Sequence, residues 1–225
     1  MSGQGGVMKN KWDGIVPPEC SPNPKILKFN AGLEWEEAKE PLHDGIDVTI
    51  TNGIGPGMPF ASSLLKKTNS SFCVVGLVPC AVTGTKIIEW QKGTNLYNEL
   101  VIRAEAALLE GGGTIEALLW YQGESDTVRL TDANAYKARL QQFITDLRGD
   151  LKLPDLLVIQ VALASGARYY LEIVREAQLN TDLPNVKCVD AKGLPLEPDN
   201  LHLSTPAQVI LGDMLSDAFL SGLPS

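Results

Sequence analysis

From residue 72 onward the chain alternates apolar runs with amphipathic stretches. Phe72-Cys73-Val74-Val75-Gly76-Leu77-Val78 is a continuous apolar run of the length of a buried strand. Residues 115–120, 156–162 and 186–190 also read as strands. Between them the spacing predicts helices over 95–109, closed by Gly111-Gly112-Gly113, over 132–147 and over 167–179. A last helix begins near Thr205-Pro206, with Thr205 suited to the N-cap and Leu211, Leu215, Ala218 and Phe219 on one apolar face. Strand–helix alternation with connections long enough for crossovers predicts an α/β fold with a mainly parallel sheet.

The part before residue 72 is less regular. Residues 1–25 are rich in Gly, Pro, Asn and Ser and read as a long surface loop. Residues 26–30 alternate like a short strand, which residues 33–38 extend after the Ala31-Gly32 turn. Gly53, Gly55 and Gly57 lead into a helix ending near Lys67, but no strand precedes them and no Lys follows in register for a phosphate loop. All 225 residues fit one domain.

Composition narrows the function. With 44% apolar residues and mean hydropathy near zero, the chain can bury a sizeable core. Its formal charge of -8, from 19 basic and 27 acidic residues, opposes phosphate backbones and anionic lipid, so no nucleic-acid or membrane partner is expected. No stretch reaches the length of a membrane span, and the first residues lack the apolar segment of a signal peptide. Cys20, Cys73, Cys80 and Cys188 have no metal-knuckle spacing, and Cys73 and Cys188 read as core residues. Localisation and oligomeric state leave no mark on the sequence.

Chemistry in such sheets sits at the carboxyl ends of the strands. There the chain places Gly84, whose backbone N–H suits an oxyanion, the Gln122-Gly123 segment with a side-chain amide, and the loop Asp199-Asn200-Leu201-His202. Only two histidines exist, and only His202 has a carboxylate, Asp199, spaced to hold one imidazole nitrogen while the other faces a hydroxyl. The plain alternative is a loop acid beside a surface histidine. His43, in Pro41-Leu42-His43-Asp44, reads as a polar loop residue.

Gly55-Pro56-Gly57-Met58, Val78-Pro79-Cys80-Ala81, Gly84-Thr85, Trp120-Tyr121-Gln122-Gly123-Glu124-Ser125-Asp126, Arg175-Glu176-Ala177-Gln178 and Asp199-Asn200-Leu201-His202-Leu203 together carry a resemblance. They are similar to plant carbohydrate esterases of the sialate O-acetylesterase-like family, a branch of the SGNH (GDSL-like) hydrolases. The resemblance implies a flavodoxin-like three-layer α/β/α sandwich. It further implies cofactor- and metal-free removal of acetyl groups from sugars, with His202 as general base and Asp199 orienting it. Gly84, Gln122 and Gly123 would bind the oxyanion, and Trp90, Tyr121 and Glu124 would meet the substrate, an acetylated carbohydrate.

One part of that pattern is missing. The family's nucleophilic serine follows a first, central strand in a Gly-Gln-Ser-Asn-Met block, and neither is found here. Aligning Met1 with that methionine puts the serine two residues before the chain, so the chain is expected to be truncated and its sheet open in the middle. Ser2 is a weak substitute; Ser125 and Ser165 are weaker. Two other readings are a non-catalytic sugar-binding remnant using Trp90, Trp120 and Tyr121, and a metal hydrolase using Glu124, Asp126, Asp199 and His202, whose scattered carboxylates suit a metal poorly.

Overall fold

The structure, a computed structural model, describes residues 2–69 and 73–222. A two-residue hairpin, β1 (Val7–Met8) and β2 (Lys11–Trp12), turns through Lys9 and Asn10 at φ 49° and 58°. Then follow β3 (Ile26–Phe29), β4 (Trp35–Glu37), α1 (Gly57–Lys67), β5 (Val75–Leu77) and α2 (Asn95–Gly111). The remainder is β6 (Ala117–Trp120), α3 (Leu130–Asp150), β7 (Leu157–Ala162), α4 (Leu171–Leu179), β8 (Val186–Asp190) and α5 (Thr205–Leu220).

The larger strands form two three-stranded sheets, ordered β4-β3-β5 and β6-β7-β8. All pairs are parallel except β3 with β4. Among the described residues no strand lies between β5 and β6, so the expected gap in the middle of the sheet is present. The fold class is α/β, a sandwich of helices about these sheets. Helices α1 and α5 pack closely because Gly212 has no side chain: a Cβ there would meet the Phe60 amide nitrogen at 2.7 Å. On α2 and α3, Tyr97 and Phe143 meet edge to face at 6.2 Å, and Phe143 lies 4.5 Å from Trp120 at the end of β6.

Three expectations need correction. Residues 35–37 do not extend β3 but fold back antiparallel to it. Asn30 Oδ1 accepts the amides of Gly32 and Glu34 at 2.9 and 3.1 Å, and Leu33 takes φ 61°, which closes a tight turn. Cys73 and Cys188 are exposed, not core: Cys73 precedes β5, and Cys188 stands on β8, an outer strand of its sheet. The N-cap of α5 is Ser204, one residue before the expected Thr205. The predicted strand at 72–78 is observed over Val75–Leu77, with Phe72 outside the described residues.

The opening segment is also more ordered than its Gly-rich composition suggests. Gly3 and Gly5 pair through their backbones with Gly53 and Ile54, at 3.1, 3.0 and 2.9 Å. Gly3 sits at φ 85°, and a Cβ on it would meet Gly53 O at 2.7 Å, so glycine is what lets the two strands of backbone touch.

Candidate active site

The loop between β8 and α5 is folded around its aspartate. Asp199 Oδ1 accepts the backbone amides of Leu201 and His202 at 2.8 and 3.0 Å, while Asn200 takes φ 56°. That turn brings Asp199 Oδ2 to 2.7 Å from His202 Nδ1. Burial pushes the Asp199 carboxyl up, but the hydrogen bonds from His202 and Leu201 outweigh it and hold the group below its ordinary range. Ionised Asp199 therefore fixes Nδ1 as the protonated nitrogen, which leaves Nε2 with a free lone pair. His202 lines a cavity of about 1010 Å³.

Neighbouring groups brace this loop. Ser165 donates its hydroxyl to the Leu201 carbonyl. Glu197 donates its amide to the His202 carbonyl at 2.7 Å, and its Oε1 accepts the Gly6 amide at 2.8 Å, which ties the loop to the N-terminal segment.

Gly84 lies on another wall of the same cavity. It takes φ 76° with nothing within 4 Å of where a Cβ would be, so the space beside its Cα is open. Its carbonyl accepts the Ser125 hydroxyl at 2.8 Å. The Gln122 amide is already engaged: Nε2 donates to Thr85 O at 2.9 Å and to Asp126 Oδ2 at 2.7 Å. Gln122 thus joins the loops that carry Gly84 and Glu124. Gly123 is buried, and a Cβ on it would crowd Val174, Gln178 and Tyr136 at 3.1 to 3.2 Å. Its place in the fold is a close-packed turn behind the cavity wall.

The aromatic residues stand at the cavity wall. Trp90 and Trp120 are 3% and 6% exposed and pack edge to face at 5.4 Å, and both line the cavity. Trp90 is also anchored by Nε1 donating to Thr85 Oγ1 at 3.0 Å. Tyr121 is buried at the cavity wall, and Glu124, half-buried, lines the cavity too.

Around Ser2, the serine named from sequence as a weak substitute, the fold gathers a cluster whose other members were not linked to it. Ser2 is buried and lines the cavity that His202 lines, with its hydroxyl bonded to that of Thr83. Asp47 Oδ2 accepts the Thr83 amide at 2.8 Å. His43, expected as a polar loop residue, is 5% exposed at the same cavity, and burial lowers its pKa to about 3, so the ring is neutral. Nothing in the local spacing of these residues links them, because contacts between positions 2, 43, 47 and 83 exist only in the fold. Ser2 is also better held than a Gly-rich terminus suggests, through the Gly3 to Gly53 pairing. Among the described residues no three or more His, Cys, Asp or Glu side chains come together as a metal site.

An α/β sandwich with an acid-oriented imidazole at the carboxyl ends of its strands defines a hydrolase-type scaffold. The model of the family "Carbohydrate esterase, sialic acid-specific acetylesterase" matches residues 1–221, and the chain belongs to that family. An Arabidopsis thaliana protein named as a probable carbohydrate esterase is 52% identical, the match covering 98% of this chain and 86% of that protein. The X-ray structure of an Arabidopsis thaliana protein superposes with a TM-score of 0.95 at 52% identity, over 98% of this chain and 93% of that one. The crystal structure of a carbohydrate acetylesterase from Xanthomonas citri shares the fold, with a TM-score of 0.66 at 20% identity over 86% of this chain and 48% of that one.

Proposed function

We propose that this site removes acetyl groups from carbohydrates by serine acyl transfer, with His202 as general base and Asp199 holding it. The observation that carries the reading is the 2.7 Å contact between Asp199 Oδ2 and His202 Nδ1 at the wall of the cavity. A seryl hydroxyl at Nε2 loses its proton to the imidazole and attacks the acetyl carbonyl. The Gly84 backbone N–H faces the oxyanion as it forms. His202 then returns the proton to the departing sugar oxygen, and water, deprotonated by the same imidazole, releases acetate. Tyr121 and Glu124 stand where the sugar would lie.

The reading includes an impairment of this chain. Among the described residues no hydroxyl is hydrogen-bonded to His202 Nε2: Ser2 is paired with Thr83, Ser125 with Gly84 and Ser165 with Leu201. Slow turnover is the expected result. The test is hydrolysis of a small aryl acetate and an acetylated xylan by three proteins, each with a His202→Ala control. One is the 225-residue chain, one carries Ser2→Ala, and one is extended upstream by an apolar strand ending in Gly-Gln-Ser-Asn. Activity confined to the extended protein and dependent on His202 supports the reading. Equal, His202-independent activity in all three overturns it.

A further inference from the structure

Two loops at the carboxyl ends of the strands are fastened together beside the cavity: residues 124–130, after β6, and residues 165–170, after β7. Three amides of the second loop bond to the first. Ala167 donates to the Glu124 carbonyl at 3.3 Å, Arg168 to Thr127 Oγ1 at 3.1 Å, and Tyr170 to the Thr127 carbonyl at 3.1 Å. The hydroxyl of buried Thr127 also donates to the Glu124 carbonyl at 2.6 Å, and a Cβ on Gly166 would meet Thr127 Oγ1 at 2.9 Å. The backbone of the second loop is thus held in place before any ligand arrives.

On this braced loop Tyr169 is 84% exposed, and it is the one exposed aromatic side chain among the described residues. The bond from Tyr170 to Thr127 sets it next to Val128, which is exposed, as is Leu130 on the same loop. A lone apolar residue at a surface needs no explanation, but an aromatic ring with aliphatic neighbours at the mouth of a cavity does. The patch is continuous with that cavity. Glu124, Ser125 and Ala167 line it, and Tyr169 follows Ala167 by two residues, at most about 7 Å of chain.

A pyranose ring has an apolar face of C–H groups and a polar edge of hydroxyls, which matches the apolar ring and polar tip of tyrosine. Tyrosine also offers this area at small entropic cost, because only two side-chain torsions are fixed on binding. Tyr169, Val128 and Leu130 are uncharged, which suits a neutral sugar chain. We propose that, if the site acts on acetylated sugars as read above, its substrate is a polymer: Tyr169 stacks on the sugar next to the acetylated one and so selects an oligosaccharide over a monosaccharide.

The probes are neutral O-acetylated xylohexaose and O-acetylated xylose, titrated calorimetrically onto the 225-residue chain as wild type, Tyr169→Ala and Tyr169→Trp. The side chain is exposed, so both variants should fold, which their Tm checks. Tyr169→Ala should bind the hexasaccharide at least about tenfold more weakly, a difference of about 1.4 kcal/mol, and Tyr169→Trp should restore it. The monosaccharide should bind all three alike. Salt at about 1 M should leave the hexasaccharide affinity unchanged, because stacking is not screened. A hexasaccharide bound no more tightly than the monosaccharide, a hexasaccharide affinity unchanged in Tyr169→Ala, an equal loss for both sugars, or no rescue by Trp overturns the proposal. So does an affinity that collapses in salt, which marks ion pairing through Arg129 and Arg168, exposed on the same two loops. The ester reading fails separately, when the upstream-extended protein leaves the aryl acetate intact.

Discussion

Asp126→Asn probes the hinge between the two loops that carry Gly84 and Glu124. Asp126 is fully buried; its Oδ2 accepts from Gln122 Nε2 at 2.7 Å and from the Ile87 amide at 3.0 Å, while buried Oδ1 has no partner. Burial raises its pKa from 3.8 to about 6, against the pull of those two bonds. Below about 3.8 both folded and unfolded forms are protonated and nothing is lost. As pH rises to about 6 the folded form keeps a proton that the unfolded form has released, so stability falls, and above that the loss is complete. The size is roughly 3 kcal/mol, worth about 6–12 °C in Tm for a chain of this length. Asparagine keeps an oxygen for Gln122 and Ile87 and carries no charge. Its amide NH₂ takes the place of Oδ1 and adds a cost that does not vary with pH. Urea unfolding of both proteins from about pH 4 to 8 isolates the effect: the stability of Asp126→Asn relative to wild type should rise by about 2–3 kcal/mol across that range. A difference that stays constant with pH would refute the reasoning.

Glu40→Gln should act in the same direction, because burial lifts the Glu40 carboxyl from 4.5 to about 7; the Tm of the wild type should fall relative to that of Glu40→Gln as pH rises from about 4.5 to about 7, and the difference should then stay level. Arg103→Met removes a buried guanidinium that donates to the carbonyls of Phe29, Asn30 and Pro79 at 2.6, 3.1 and 3.1 Å, and should cost about 3–5 kcal/mol by urea unfolding. In the upstream-extended protein, Asp199→Asn should lower kcat by roughly 10²–10⁴ with little change in KM, measured on the aryl acetate. Because hydrogen bonding holds the Asp199 carboxyl below its ordinary range, its support of the imidazole is present above that range and is lost only as pH falls through the lowered value.

What was legible in the sequence is what local chemistry fixes. Strand and helix periods gave the α/β class, and the Asp199 turn is built within four residues, so its contact with His202 follows from the spacing alone. Residues in long apolar runs were harder to place. Cys188 points outward on β8, although its valine neighbours read as core. Trp90, expected at the substrate, packs its ring against Trp120 while it lines the cavity. The cause is that an aromatic or sulfur side chain has the same signature at a wall as in a core until the partner strand is known.

The Gly-rich opening makes the deeper point. Its composition is that of a loose loop, yet Gly3 and Gly5 are paired backbone to backbone with Gly53 and Ile54, and Glu197 beside the Asp199 loop accepts the Gly6 amide. The segment is ordered by partners about fifty and about two hundred positions away, which no local window samples. The proposed dyad is therefore a property of the Asp199 loop itself, whereas the placement of the Ser2 hydroxyl depends on the N-terminal segment and on Thr83. Activity and fold are therefore to be measured separately, since the contact between Asp199 and His202 depends on its own loop alone.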